Sequence, residues 1–224
     1  MKPFLLGVAA FIALPVHGLN AKPNIVYILA DDLGYGDVRC LNRERGKIST
    51  PHFDHLASQG MIFTDAHSGS SVCTPTRYGL LTGRYAWRTR LQSGVLSDYV
   101  NPLIAPDRLT VPGMLKQNGY HTACIGKWHL GYTVKDSKKG EAAPLDAVTH
   151  DGPMTRGFDT FFGFHHARMM KSLFENDRVT QIVEPVDMLP LITEHATKYI
   201  ADRAKAETPF FLYFALNSPH TPIV

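Results

Sequence analysis

Cys73 stands in Ser71-Val72-Cys73-Thr74-Pro75-Thr76-Arg77, followed by Tyr78-Gly79-Leu80-Leu81-Thr82-Gly83-Arg84. Proline favours the first turn of a helix, so this spacing puts the thiol at the positive end of a helix with a guanidinium one turn further on, a place to hold an anion. Three chemistries can use such a cysteine. A thiolate loop that wraps phosphate in successive backbone N–H groups needs a longer span between Cys and Arg than the three residues found here. A disulfide is the plain reading for an exported chain, but the cysteines number three (Cys40, Cys73 and Cys124), so at least one stays unpaired within the chain. Taken alone, a cysteine is more often structural than reactive. The third chemistry depends on the surrounding motif.

Other groups could act beside it. The adjacent carboxylates Asp31 and Asp32 repel each other unless a cation lies between them, and hard oxygen donors suit Ca²⁺ or Mg²⁺ rather than zinc or copper. The competing reading of Asp-Asp-Leu-Gly is a turn with a helix cap. Lys127-Trp128-His129 sits inside Gly-Lys-x-His-x-Gly, and His220 lies in Ser-Pro-His-Thr-Pro. Alone, a loop lysine is usually solvated and a histidine beside proline is more often structural.

The elements that must position these groups alternate in the manner of an α/β fold: a mostly parallel central sheet flanked by helices. Residues 24–30 form a short apolar run, as expected of a central strand buried on both faces, and end directly in Asp31-Asp32. Thr50-Pro51 caps a helix through Gln59, and 61–66 reads as a strand. A helix over 110–118 is followed by a strand over 120–125 that delivers the Lys127 motif. Ile192, Ala196, Tyr199, Ile200 and Arg203 fall at helical spacing, and 210–216 is a second buried strand leading to His220. The loops over 91–106 and 135–153 have the Pro and Gly content of surface excursions. Three of the chemical groups therefore follow strand ends, where the ligand crevice of an open α/β sheet lies.

The run Cys-x-Pro-x-Arg followed by x-x-Leu-x-Thr-Gly-Arg resembles the signature of the type I sulfatases, members of the alkaline-phosphatase-like superfamily, in which an enzyme oxidises the cysteine to Cα-formylglycine. Members usually carry Ser or Ala where this chain has Thr76. Gly34-Tyr35-Gly36-Asp37 matches the family's continuation after its carboxylate pair, and further matches run from Asn24 to His220.

The resemblance implies a mechanism and a set of roles. The aldehyde hydrates to a gem-diol, one hydroxyl attacks sulfur, the alcohol leaves, and a base at the second hydroxyl eliminates sulfate. Asp31 and Asp32 are the first pair of metal ligands, with modified Cys73 another, and the metal is Ca²⁺ with Mg²⁺ as the alternative. Arg77 holds the formylglycine hydrate, Lys127 contacts a sulfate oxygen, His129 is the base of the elimination, and His220 contacts sulfate and protonates the leaving oxygen. The segment 156–163 resembles the one preceding a further substrate contact; many members place Ser where Ala167 stands, and here either a neighbouring histidine, His166 or His165, substitutes for it or the contact is lost. The implied partners are a sulfated small molecule or glycan as substrate and a formylglycine-generating (sulfatase-maturing) enzyme. Two other readings share these residues: a phosphonate monoester or phosphodiester hydrolase, and a noncatalytic sulfoglycan-binding relative with an unmodified Cys73.

Residues 1–21 read as an export signal: Lys2 supplies the positive start, Phe4 to Leu14 the apolar core, and Gly18 and Ala21 the small residues for cleavage. That core is too short to span a bilayer, which takes roughly twenty residues. The implied location is periplasmic or secreted. Residues 22–224 then suit one domain, and 44% hydrophobic content is enough for a buried core. A formal charge of +3, with no basic cluster interleaved with aromatics, excludes an argument for nucleic acid. The family's remaining metal ligands are an Asp-Asn pair that normally follows the Ser-Pro-His segment, and no such dipeptide occurs here. The chain is therefore expected to be the N-terminal part of a longer catalytic domain, poorly active or silent alone.

Overall fold

The computed structural model describes residues 22–135 and 137–221, so the segment read as an export signal lies outside the described residues. Six strands, β1 (Ile25–Asp31), β2 (His121–Lys127), β3 (Thr160–Phe164), β4 (Ser172–Glu175), β5 (Arg178–Ile182) and β6 (Phe210–Pro219), form one sheet in the order β1-β6-β2-β3-β4-β5. β1, β6, β2 and β3 run parallel, and β4 and β5 add an antiparallel hairpin at one side. The expected mostly parallel sheet is present, and the carboxyl ends of its four parallel neighbours share one edge.

Among the described residues there are four α-helices, α1 (Pro51–Gln59), α2 (Cys73–Thr82), α3 (Val111–Gln117) and α4 (Pro185–Arg203); α2, α3 and α4 pack on the sheet, whereas α1 buries none of its residues. Strand side chains alternate between two cores, as the period of two requires. Cys124, Phe161, Phe211 and Tyr213 pack with Tyr78 and Leu81 of α2, while Ala123, Ile125, Phe162, Phe210 and Leu212 pack with Met188, Ile192 and Ala196 of α4. Each fully buried large apolar side chain in such a core contributes about 1.5–3 kcal/mol. β2 and β6 come together closely at Gly126, where φ is 104° and a Cβ would sit 2.0 Å from the Ala215 carbonyl oxygen. Only glycine fits there.

Several expectations are corrected. Residues 61–66 are not a strand: among the described residues none pairs with them, and Met61 and Phe63 are 77% and 70% exposed. A strand pattern without a neighbour has no ladder to join. β1 forms as expected but is not buried on both faces; it is an edge strand, and Val26, Tyr27 and Ile28 are exposed. Thr50 stands at the N-cap of α1 without a side-chain cap bond, its hydroxyl bonding the Asp54 carboxylate instead. Thr110 does cap α3, accepting the Gly113 N–H at 3.1 Å. The loop over 91–106 is no mere surface excursion, since Leu96, Leu103 and Ile104 are buried in the core.

Candidate active site

Cys73 is the first residue of α2, after Val72 at the N-cap, and the Thr76 N–H closes the first turn on the Val72 carbonyl at 3.2 Å. The thiol thus stands at the positive end of a ten-residue helix, as the spacing implies. The end of that motif is structural. Gly83, at φ 66°, stops the helix by returning its N–H to the Gly79 carbonyl, and the Thr82 hydroxyl bonds the Tyr78 carbonyl at 2.6 Å.

Asp31 closes β1 beside this helix. Its carboxylate is 5% exposed and meets two buried cations: Lys127 Nζ, at the end of β2, bonds Oδ2, and Arg77 Nη2 lies 3.5 Å from the same oxygen. The Cys73 thiol donates to Asp31 Oδ1 at 3.4 Å, and Lys127 Nζ is 3.5 Å from the sulfur. Burial alone would push the Asp31 carboxyl up, but Arg77 and Lys127 together outweigh it and hold the group below the usual carboxylate range. Cys73 moves the other way. Burial raises its pKa, the Asp31 charge and hydrogen bond add to that, and Lys127 and Arg77 offset only part. The residue rests as a thiol, whereas a catalytic thiolate needs a lowered pKa.

Arg77 is 1% exposed; its Nη1 donates to the Lys127 carbonyl at 2.8 Å and lies 3.5 Å from the Tyr213 hydroxyl, while Nε and Nη2 have no hydrogen-bond acceptor among the described residues. Buried donors without acceptors are costly, and an oxyanion in the adjoining cleft would satisfy them. That cleft, of about 320 Å³, is lined by Asp31, Asp32, Ser70, Ser71, Cys73 and Arg77 among others. Asp32, at φ 64°, faces its mouth, with His220 Nε2 3.6 Å from Oδ2. Asp31, Cys73 and His220 each bring a donor atom within 4.8 Å of the others. With Asp32 adjoining, the carboxylate oxygens of this set suit a hard divalent cation, and His220 lies close beside them.

A second group of residues adjoins the first. His129, two residues beyond β2 at φ 55°, is 4% exposed; its Nε2 is 2.7 Å from the Leu96 carbonyl, and its Nδ1 is buried without a partner among the described residues. The His166 ring lies 5.0 Å from that of His129, and the His165 ring 4.9 Å from that of His166. All three imidazoles are held neutral. Burial is the first cause in each, and the Lys127 charge adds to it, leaving His166 at about 4 and the other two well below the ordinary value.

The structure therefore brings Asp31, Cys73, Arg77 and Lys127 into contact, places Asp32 with His220 at the mouth, and sets His129 and His166 together alongside. Sequence reasoning missed Thr74, Leu96, Tyr213 and the burial of His165. Thr74 lay inside the signature at a position without an assigned role, and a backbone carbonyl such as that of Leu96 leaves no signature at all. The segment 156–163 turns out to be a docking device: Asp159 accepts the Thr122 N–H at 2.9 Å and pairs with Lys116, fixing β3 to β2 and so placing His165 and His166.

Comparison with known proteins adds to this geometry. The family model described as Sulfatase matches residues 23–223. An N-acetylgalactosamine-6-O-sulfatase of Bacteroides thetaiotaomicron is 49% identical over 116 residues, covering 51% of this chain and 22% of that protein. Arylsulfatase A of Homo sapiens is 32% identical over 99% of this chain and 45% of its own length. A solved structure described as belonging to glycosaminoglycan metabolism by Bacteroides thetaiotaomicron superimposes with a TM-score of 0.78 at 29% identity, covering 91% of this chain and 52% of that one. The chain spans about half the length of the longer relatives it matches end to end.

Proposed function

The chain belongs to the sulfatase family, and from that premise we propose that its protein hydrolyses a sulfate ester at the edge where β1, β2 and β6 end, after oxidation of Cys73 to formylglycine. The observation that carries this reading is the state of Cys73. Its position at a helix N-terminus, with Lys127 Nζ 3.5 Å from the sulfur, suits a group that meets an anion, while burial and Asp31, which raise its pKa, weigh against a thiolate as the reagent. A side chain so placed serves better as a precursor.

The oxidised residue, once hydrated, would offer two hydroxyls on one carbon; Asp31 and Asp32 would hold a divalent cation (Ca²⁺, or Mg²⁺ as the alternative), which would supply Lewis acidity beside residue 73. The chain's own residues do the rest. Lys127 and Arg77 bring positive charge to the sulfate oxygens and to residue 73. His129, neutral, offers the lone pair on Nδ1 as the proton acceptor, while burial and the Lys127 charge lower its basicity. His220, half-buried at the mouth, is placed to protonate the departing alcohol, and His166 to contact the substrate beside it.

The substrate class follows the relatives: a glycan sulfate, with 6-O-sulfated N-acetylgalactosamine the first to try, since that is the activity in the name of the 49% identical relative. Export to the periplasm or beyond, directed by residues 1–21, and encounter there or on the way with a sulfatase-maturing enzyme complete the proposal. Peptide mass spectrometry of the full-length protein from its native host tests it: the peptide holding residue 73 should be about 18 Da lighter than the thiol form. Matched aryl sulfate and aryl phosphodiester substrates should favour the sulfate. An unmodified thiol, or preference for the phosphodiester, would overturn the reading.

A further inference from the structure

The residue after Cys73 is wholly buried and hydrogen-bonded on two sides. The Thr74 hydroxyl donates to the His129 carbonyl at 3.0 Å and accepts the Leu96 N–H at 3.2 Å. Leu96 in turn presents its carbonyl to His129 Nε2 at 2.7 Å. Three residues far apart in sequence thus close a ring of three hydrogen bonds, and a single hydroxyl, acting as donor and acceptor at once, is the node between them.

The ring has a chemical consequence. A carbonyl oxygen only accepts, so His129 Nε2 carries the proton, and a neutral imidazole protonated there keeps its one lone pair on Nδ1. Nδ1 is the nitrogen that is buried without a partner. The Leu96 carbonyl that imposes this belongs to an irregular segment, between Gly94 at φ 71° and Asp98 at φ 57°. The Leu96 side chain anchors that segment in the core, and the Leu96 N–H, on the peptide that precedes this carbonyl, is held by the Thr74 hydroxyl, which ties residue 96 down beside His129.

We propose that Thr74 is a positioning residue: by holding the Leu96 carbonyl against His129 it fixes the ring's orientation and tautomer, and keeps the base lone pair on Nδ1. Because Thr74 follows Cys73 directly, the same turn of α2 that places the reacting residue also orients the base. The functional part of this inference rests on the reading of His129 as the base.

The test uses the full-length protein with ¹⁵N-labelled histidine, the His129 ring signals being those lost in His129→Gln. The wild type is expected to show a protonated-type Nε2 and an unprotonated-type Nδ1. In Thr74→Val, which keeps the shape and removes the hydroxyl, the two nitrogens should move toward each other as tautomers mix, and kcat should fall on the order of tenfold at nearly unchanged KM. Thr74→Ser should restore both. If Thr74→Val does not fold, Thr74→Ala is read by the same two measurements. A wild-type nitrogen pattern in the hydroxyl-free variant, or a lost pattern in Thr74→Ser, overturns the inference. A changed pattern with unchanged kcat supports the positioning by Thr74 and removes instead the reading of His129 as the base.

Discussion

Asp31→Asn should destabilise this protein through the charges it strands. Asp31 is the shared counterion of two buried cations, Arg77 and Lys127. At the 3.5 Å separation from Arg77 and an effective dielectric of about 20, the attraction is about 5 kcal/mol from that guanidinium alone. Most of that offsets desolvation, so the useful figure is the cost of breaking a buried pair by removing one partner, about 3–5 kcal/mol. For a domain of this size that lowers Tm by about 10 °C. Thermal unfolding in the presence of a chelator measures it free of any metal contribution. The decisive arm is the pair of double variants Asp31→Asn/Arg77→Met and Asp31→Asn/Lys127→Met. If stranded charge is the cause, removing either cation recovers part of the loss, and each double variant is more stable than Asp31→Asn alone. A single variant within 1 kcal/mol of wild type, or double variants whose losses simply add, would refute the reasoning.

His166 gives a pH-dependent counterpart. Burial, then the Lys127 charge, depresses its pKa to about 4, so between about pH 6.5 and pH 4 the unfolded chain binds a proton that the folded chain refuses, and stability falls as pH falls through that window. His166→Gln should reduce the loss between pH 7 and pH 5 by about 1 kcal/mol, after discounting for partial exposure, as read from urea midpoints; parallel declines in both proteins would count against it. Gly126→Ala should cost more than about 3 kcal/mol, because the new Cβ would meet the Ala215 carbonyl oxygen at 2.0 Å on a backbone at φ 104°. A variant with wild-type stability would show that β2 and β6 can part there without penalty.

The site was more legible in the sequence than the fold around it, for a physical reason. Asp31, Lys127 and His220 each follow a run of apolar residues, and parallel strands deliver their ends to one edge whatever the rest of the sheet does. The spacing of Cys73 and Arg77 is local to one helix and needed no tertiary information. Segment 61–66 failed because strand character is a property of pairs: Met61 to Ala66 has the residues of a strand and, among the described residues, no partner. The β4–β5 hairpin passed unnoticed although Asn176, at φ 57°, is a turn residue of the usual kind, since its strands are short and mix polar with apolar residues. The loop over 91–106 misled in the opposite sense. Its Pro and Gly content suggested surface, yet the Leu96 carbonyl holds a ring nitrogen of His129.

Counting charge at the site explains why its parts belong together. Lys127 and Arg77 contribute two positive charges, Asp31 and Asp32 two negative ones, and burial with Lys127 keeps His129, His165 and His166 neutral near pH 7. The sum is zero, a poor field for an anionic sulfate ester, which gains from a positive cleft. Lowering the carboxylates' share would correct the balance, but Asp31 is held ionised by its two cations and cannot be neutralised near pH 7. Under the proposed function, a divalent cation held by Asp31 and Asp32 would correct it instead, carrying the site to a net charge of about +2 and leaving Lys127 and Arg77 for the ester. The unaccepted Nε and Nη2 of Arg77 point to the same division of labour. Under the proposed function the carboxylates would serve the metal and the cations the substrate, and Cys73 lies within reach of both Asp31 and Lys127.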